Sequence, residues 1–373
     1  MKQSSFFVIL TARLYFKIGR SVRRLSLLFV LITPIAVPAQ DYTYTVKNNK
    51  IAITKYTGSD SAVTIPNAIN GYLVTSIGTD AFRLCTNLTS IAVPNSITNI
   101  GDYSFQQCTS LTDVTIGNGV TRIGRFAFNW CPRLTNITIP DNITTIDDYA
   151  FRYCANLTNV TIPDSVSKVG DGAFTLCYGL VRVEIGNGVT SIGSDVFHEC
   201  TNLTSVTFGN GVTNISSGAF RHCFDLANIT IPNSVTYIGD SAFSNCLSLA
   251  GVYFKGNIPV LGSSNVFPSS TNTIFYYLPG TAGWGSIFGG RPTVLWNPKI
   301  QTGDVDFGVR SNKFGFKISG TNDFTVMVEA CTNLADGVWV PVETNTLTDG
   351  SAQFSDPAWI NYPNRYYRIS MPQ

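Results

Sequence analysis

One repeated spacing constrains this chain of 373 residues more than any other feature. Eight of its nine cysteines follow one another at intervals of 23 residues, and a Phe three positions before each Cys and a Leu three positions after it keep the same interval. Eight copies in phase without an insertion do not arise by chance, and a fixed period of this length indicates a repeat architecture. The repeated cysteines are Cys85, Cys108, Cys131, Cys154, Cys177, Cys200, Cys223 and Cys246.

The repeated unit reads L-x-x-I-x-I-P-x-x-V-x-x-I-G-x-x-A-F-x-x-C. In residues 90–93 the apolar positions alternate with period 2, which predicts a short strand with one buried face. The A-F-x-x-C segment places Phe and Cys three apart, which predicts one turn of α-helix or 3₁₀-helix. Because no unit can bury its apolar strip alone, we expect the units to stack into a solenoid with a parallel sheet on one side and the short helical turns on the other.

This unit resembles the BspA-like leucine-rich repeats of bacterial surface proteins over about residues 60–270. It departs from the commoner leucine-rich pattern, because a Cys precedes the first Leu and Pro-x-x-Val follows the strand. The resemblance implies a leucine-rich-repeat solenoid, a secreted or cell-surface location, and attachment to host proteins, matrix proteins or other cells. The matching positions are scaffold, so they do not specify a partner.

The N-terminal residues have the pattern of a secretory signal peptide. Residues 1–24 carry six basic side chains and no acid, and an apolar run follows over residues 25–37. We predict cleavage after Ala39; an uncleaved anchor is the alternative, which Pro34 and Pro38 disfavour. The chain ends without an apolar tail, so we expect no membrane anchor and no transmembrane segment after cleavage.

The remaining domain boundaries follow from where the 23-residue repeat begins and ends in the sequence. Residues 41–60 alternate like a hairpin, and residues 324–328, 338–342, 352–354 and 366–369 alternate like strands. We predict an N-terminal cap at 40–62, the solenoid at 63–270, a C-terminal cap at 271–299, and a small all-β sandwich, separate from the solenoid, at 300–373. Solenoids need such caps to cover their open apolar ends.

The cysteines and histidines are the first candidates for chemistry. Equivalent Cys side chains point the same way, so we favour a ladder of buried thiols that donate weakly to backbone carbonyls over disulfides, whose dihedral angle parallel side chains fit poorly. His198 and His222 lie near two of these cysteines, and a Cys/His zinc site is conceivable. Their offsets from Cys differ, so we expect two histidines out of register, and we predict no metal and no cofactor.

The outward positions of the predicted strands form the candidate binding surface. They make a polar stripe of Thr and Asn along a concave face of the kind that solenoids use to bind macromolecules. Thr also simply suits an exposed strand, and regular Thr columns resemble ice-binding surfaces, although a curved face fits a crystal plane badly. The candidate residues are Asp113, Thr115, Asn136, Thr138, Asn159, Thr161, Arg182, Glu184, Thr207, Asn228, Thr230 and Tyr253.

The amino-acid composition and the lack of catalytic motifs disfavour two classes of function. Charged residues make up 13% and basic residues exceed acidic ones by only two, which gives no case for nucleic-acid binding. No catalytic motif is present, so we predict a non-catalytic protein that binds an extracellular protein or glycan. The main hypothesis is adhesion through the solenoid. The alternative is a structural or carbohydrate-binding matrix component, in which exposed Trp339, Trp359 or Tyr362 would read the sugar.

Overall fold

The computed structural model describes residues 41–268, 272–320 and 325–371. The first two strands form an antiparallel hairpin, as the alternation of residues 41–60 predicts. The signal peptide predicted at residues 1–39 lies outside the described residues. The strands before the first Cys are β1 (Tyr42–Lys47), β2 (Lys50–Tyr56), β3 (Ala62–Thr64), β4 (Ala68–Ile69) and β5 (Tyr72–Ile77).

All but one of the regular coils contribute a strand of three or four residues at the predicted position, and each has a second strand of two residues at the Ile-Gly position. Residues 136–139 alternate in burial like the longer strands but form none. The repeat strands are β6 (Ser90–Val93), β7 (Asn99–Ile100), β8 (Asp113–Ile116), β9 (Arg122–Ile123), β10 (Thr145–Ile146), β11 (Asn159–Ile162), β12 (Lys168–Val169), β13 (Arg182–Ile185), β14 (Ser191–Ile192), β15 (Ser205–Thr207), β16 (Asn214–Ile215), β17 (Asn228–Ile231), β18 (Tyr237–Ile238), β19 (Gly251–Phe254) and β20 (Val260–Leu261).

The coils pair in parallel with a constant offset of one repeat. Asn159 lies opposite Arg182 and Ile162 opposite Ile185, so each residue meets its own equivalent. The two-residue strands join the N-terminal strands in one 12-stranded sheet, whereas the longer strands fall into three successive sheets. The predicted solenoid is therefore confirmed, with a second parallel stack that the pattern did not predict.

The A-F-x-x-C segments stack as turns, and no helix forms in them in the described coils. The N–H of Cys108 donates to the carbonyl of Phe105 at 3.2 Å, which closes a 3₁₀-type turn, but the N–H of Phe105 donates to Ala127 of the next coil at 2.7 Å. Because alternate N–H groups bond to the next coil, a helix cannot propagate. The residue before each repeated Cys has a φ between 59° and 63°, in the left-handed region.

A column of phenylalanine rings fills the centre of the solenoid. The rings of successive coils stack with centroids 4.9 to 5.7 Å apart, and all of these side chains are fully buried. Tyr56 of the hairpin stacks on Phe82 at 5.2 Å, and Phe267 stacks on Phe243 at 5.1 Å. Each end of the column is therefore covered by an aromatic ring from outside the regular repeats.

The chain after the repeats forms more strands and two antiparallel sheets. β21 and β23 extend the parallel sheet of β17 and β19. In the C-terminal region one sheet contains β24, β25, β26 and β29, and the other contains β27, β28 and β30. The strands are β21 (Ile274–Tyr277), β22 (Ile287–Phe288), β23 (Arg291–Leu295), β24 (Lys299–Gln301), β25 (Gly308–Arg310), β26 (Lys313–Ser319), β27 (Thr325–Cys331), β28 (Val340–Thr346), β29 (Ser351–Asp356) and β30 (Tyr366–Ser370).

This C-terminal region, predicted as a separate sandwich at 300–373, packs against the last coils of the solenoid. Tyr253, Tyr276 and Trp296 of the last coils lie in one buried cluster with Phe316, Phe354 and other apolar residues of the two antiparallel sheets. A 3₁₀-helix covers Trp359–Asn361. No helix within the described residues has the length and apolar character needed to span a membrane.

Candidate interaction surface

We call the outward residues of the longer strands and of residues 136–139 the strand face. Its exposure changes along the molecule. Asp113, Thr115, Asn136, Thr138, Asn159, Thr161 and Arg182 are exposed. Glu184, Thr207 and Asn228 are half-buried, and Thr230 is 8% exposed. The strand face is therefore open over the earlier coils and becomes covered toward the C-terminal end.

Charged side chains interrupt the neutral part of the strand face at one coil. Arg182 lies 3.8 Å from Glu184, with both side chains about half exposed. Thr161 of the preceding coil donates a hydrogen bond from its Oγ1 to Glu184 Oε2 at 3.3 Å. An exposed ion pair of this kind adds little to stability, so its side chains remain available for contact with another molecule.

The prediction that Tyr253 lies on the open surface is wrong, and Thr230 is also buried. Tyr253 is 2% exposed because the C-terminal sheets pack over this end of the strand face. Its ring stacks on that of Tyr276 at 4.8 Å, and its hydroxyl hydrogen-bonds with Thr325. Burial raises the pKa of the Tyr253 phenol above its ordinary value, which is consistent with an apolar contact rather than a binding group.

The aromatic residues of the C-terminal region differ in exposure. Tyr362 is 40% exposed, and the Arg365 guanidinium lies over its ring at 4.1 Å. Trp359 is half-buried and its indole N–H donates to the Asn312 carbonyl at 3.2 Å. Trp339 is half-buried beneath Arg368 at 4.5 Å. Of these three candidates, Tyr362 has the ring most available to a ligand.

A second surface, formed by the A-F-x-x-C turns and the residue after each Cys, carries side chains that the sequence analysis did not single out. We call it the turn face. Trp130 and Tyr153 stack there with centroids 4.2 Å apart, and Tyr178 meets Tyr153 edge-on at 5.9 Å. Trp130 is 40% exposed. The signal in the sequence was a bulky aromatic ring at the position before Cys, where a left-handed residue would ordinarily be Gly or Asn.

The two histidines lie beside this stack, and they meet. His198 Nε2 is 3.3 Å from His222 Nδ1, so the expectation that a register mismatch separates the imidazoles is wrong. Adjacent coils are close enough that an aromatic side chain reaches a diagonal neighbour. Glu199 Oε1 lies 3.6 Å from His198 Nε2 and 3.8 Å from His222 Nδ1. Burial and, secondarily, Arg221 lower the pKa of His198.

The cysteine ladder is present as free thiols. Seven of the eight repeated side chains are fully buried, and Cys85 in the first coil is half-buried. Each buried Sγ donates to the Phe carbonyl 26 residues earlier, as Cys154 does to Phe128 at 3.3 Å. Burial raises the pKa of Cys131, Cys177 and Cys246 to about 12, so these thiols are protonated and structural.

Comparison with known protein families assigns the repeats to one of them. The model of the BspA-type leucine-rich repeat region matches in six copies, over residues 55–181 and 170–277. The chain belongs to this family. The match ends before the antiparallel C-terminal sheets, so BspA-type membership describes the solenoid.

Solved structures of other bacterial leucine-rich repeat proteins are similar to this BspA-type chain. One from Bacteroides ovatus is 26% identical, with a TM-score of 0.55 over 64% of this chain and 70% of that chain. The protein TpLRR of T. pallidum is 31% identical, with a TM-score of 0.49 over 51% and 90%. A leucine-rich cell surface protein of Faecalibacterium prausnitzii is 28% identical, with a TM-score of 0.41 over 67% and 90%. No functionally curated protein matches.

Proposed function

We propose that this BspA-type protein is an exported, non-catalytic adhesion protein that binds another extracellular protein through the open part of its strand face. The observation that carries the proposal is the exposed polar row of four successive coils, from Asp113 to Arg182. Parallel pairing sets Asn159 opposite Arg182 and Thr161 opposite Glu184, so side chains of adjacent coils stand side by side there. Rigid, repeated polar columns give a partner a pre-ordered surface, which lowers the entropy that binding costs.

The charged coil is the expected anchor of the interface. Arg182 is exposed beside neutral Asn159 and Ser205, with Glu184 as its ion-pair partner. Arg is enriched among the residues that dominate binding energy, and it recognises carboxylates with a planar set of donors. The partner is therefore an extracellular protein that presents an acidic group opposite Arg182.

Three observations support export and a surface location. The N-terminal residues have a basic stretch followed by an apolar run, which is typical of secretory signals. The family is one of bacterial surface proteins by the resemblance described above. The F. prausnitzii structure of similar sequence is itself described as a cell surface protein.

The experiment is a binding screen of residues 41–373 on an array of extracellular matrix and host-surface proteins. Arg182→Ala combined with Glu184→Ala is expected to weaken any saturable protein binding by about tenfold or more. The control removes Arg125 and Asp148, another ion pair, with 3.4 Å between its charged atoms, in which Arg125 is exposed and Asp148 is half-buried. Equal affinity in both double variants, or no saturable binding to any protein, would contradict adhesion through the strand face.

Exposure of Tyr362 favours a second function, carbohydrate binding by the C-terminal region. Its ring borders an open cavity of about 340 Å³ lined also by Phe314, Trp359 and Tyr367. Aromatic faces with a few convergent polar groups are suited to stacking on sugars. On a glycan array, Tyr362→Ala would abolish binding that Tyr237→Ala, an exposed tyrosine of the solenoid, preserves. Glycan binding unaffected by Tyr362→Ala would exclude this site.

A further inference from the structure

The cluster of His198, Glu199 and His222 on the turn face has the composition of a metal site. Its three possible ligand atoms lie within 4.8 Å of one another. Two imidazole nitrogens and a carboxylate oxygen form the ligand set of several zinc proteins, which leave the fourth position open. The adjacent cysteines take no part, because Cys200 and Cys223 are fully buried and donate to Phe174 and Phe197.

The distances between the possible ligand atoms fit a tetrahedral metal geometry. Two nitrogens bound to Zn²⁺ at about 2.0–2.1 Å in a tetrahedral arrangement lie about 3.3–3.4 Å apart, and the imidazole nitrogens here are 3.3 Å apart. Square-planar or octahedral ligands at similar bond lengths would lie only about 2.8–3.0 Å apart. Glu199 Oε1 lies 3.6 Å from His198 Nε2 and 3.8 Å from His222 Nδ1. A small rotation of the Glu199 side chain would bring both distances to those of a tetrahedral site.

A neighbouring group orients one of the ligands. Thr175 Oγ1 lies 3.5 Å from His198 Nδ1, the nitrogen that faces away from His222. Metal-binding histidines and carboxylates are generally held by such outer partners, which fix the side-chain orientation before the metal arrives.

The backbone fixes the site as well. Glu199 and His222 hold φ values of 59° and 62°, and their N–H groups donate to the next coils, to Arg221 at 2.9 Å and to Ser244 at 2.8 Å. These bonds hold two ligands at the same position of adjacent coils. Because the ligand atoms come from two coils, a bound ion would join those coils on the turn face.

We propose that His198, Glu199 and His222 bind one Zn²⁺ ion, with the fourth coordination position open to water. The side chains of the three ligands are 18%, 34% and 30% exposed, so the ion reaches the site from solvent. The site lies on the turn face and its ligands are distinct from the strand-face residues of the proposed adhesion surface.

The experiment measures zinc binding to the metal-free chain of residues 41–373 by equilibrium dialysis in a non-thiol reductant. One zinc per chain is expected, and His198→Gln and His222→Asn should each weaken binding by about tenfold or more. Asn suits the left-handed backbone at position 222, so the variants should keep the wild-type melting temperature without metal. Zinc should raise the melting temperature of the wild type and not that of the double variant that carries both His198→Gln and His222→Asn.

Asp195→Asn is the control, because it removes a nearby carboxylate that pairs with Arg221 at 3.8 Å and is not one of the ligands; it should weaken zinc binding far less than loss of either histidine. Co²⁺ in place of zinc should give the intense visible absorption of a tetrahedral centre. The proposal is overturned if the wild type shows no saturable zinc binding. It is also overturned if the double variant binds as well as the wild type, or if Co²⁺ gives only the weak absorption of an octahedral ion.

Discussion

The coils and the C-terminal sheets are built by two different kinds of contact. In the coils a residue meets its own equivalent 23 positions away, as Val160 meets Val183. In the C-terminal sheets strands run antiparallel and unlike residues face each other, as Phe316 faces Phe354 and Lys317 faces Gln353. Stability in the coils is therefore spread over nearest-neighbour steps, whereas the C-terminal region depends on particular pairs and on the last coil beneath it.

The substitution with the largest expected effect on stability is Phe151→Ala, in the stacked core of the coils. Phe151 is fully buried between Phe128 at 5.3 Å and Phe174 at 5.2 Å, so its removal should cost about 3–5 kcal/mol of unfolding free energy. Hydrogen exchange should rise most in the coils that touch it. Tyr149→Ala, a half-buried ring of the same coil, should cost less, and equal losses in the two variants would contradict the stacked core.

Tyr253→Ala should destabilise the C-terminal region more than the coils. It removes a buried ring from the shared cluster, with an expected loss of about 3 kcal/mol. Limited proteolysis should then cleave within residues 300–371 at temperatures at which the coils remain resistant. The exposed Tyr237 is the control, since its replacement by Ala should change stability little. If both regions of the Tyr253 variant resist protease as the wild type does, the C-terminal region folds without support from the coils.

The thiol ladder should make the coils sensitive to alkali. Burial raises the pKa of Cys131 to about 12, so above about pH 9 the unfolded chain loses protons that the folded chain keeps. Stability should consequently fall with rising pH, by at most about 1.4 kcal/mol per pH unit for each buried thiol. Denaturant midpoints between pH 8 and pH 10 measure this slope.

Variants isolate the thiol contribution to that slope, because buried tyrosines such as Tyr42 have a raised pKa and act in the same direction. Cys131→Ala should make the slope shallower. Cys85→Ala should change it less, since Cys85 is half-buried and its pKa is raised by a smaller burial effect. An unchanged slope in the Cys131 variant would mean that this thiol ionises as easily in the folded chain as in the unfolded chain.

The smallest expected change in stability is at Asp147, a residue that departs from the repeat pattern. Asp147 stands where most coils have the Gly of Ile-Gly, and its carboxylate lies 2.6 Å from Arg122 Nε and 3.5 Å from Lys168 Nζ. Asp147→Asn should cost about 1 kcal/mol, because the carboxylate is buried but both cations are partly exposed. Glu184→Gln at the exposed pair should cost nothing measurable in a urea titration. Equal results for the two would mean that burial adds nothing to the Asp147 pairs.

The repeated part of the fold could be predicted because one pattern fixes strand, turn and core in every coil. The period-2 alternation at Ile91 and Val93 places the strand, and the predicted strands at residues 324–328 and 366–369 correspond to β27 and β30. The A-F-x-x-C segments close 3₁₀-type turns, as one of the two predicted alternatives, but no helix extends from them because hydrogen bonds to the next coil, which no local pattern records, override the local preference. The strands β24, β25 and β26 were not predicted, although Phe314, Phe316 and Ile318 of β26 alternate with polar residues or glycine.

The candidate site was less predictable because it depends on contacts between distant segments. The pattern of one coil gives the outward direction of Tyr253 but not the C-terminal sheets that cover it. An aromatic ring in a column otherwise made largely of Thr was the available sign that this position is buried. The sequence singled out His198 and His222 but not their contact, since side-chain reach across coils and not sequence offset decides whether they meet.

The constant pairing offset also bears on how such a gene can change in length. Since each coil bonds to its neighbours at the same positions, deletion or duplication of one whole 23-residue unit in the middle of the array joins two coils that still match. Each gained unit would extend the molecule by about 4.8 Å, without altering the hairpin at one end or the docked sheets at the other. Recombination between repeats could thus adjust the length of the solenoid while both ends stay intact.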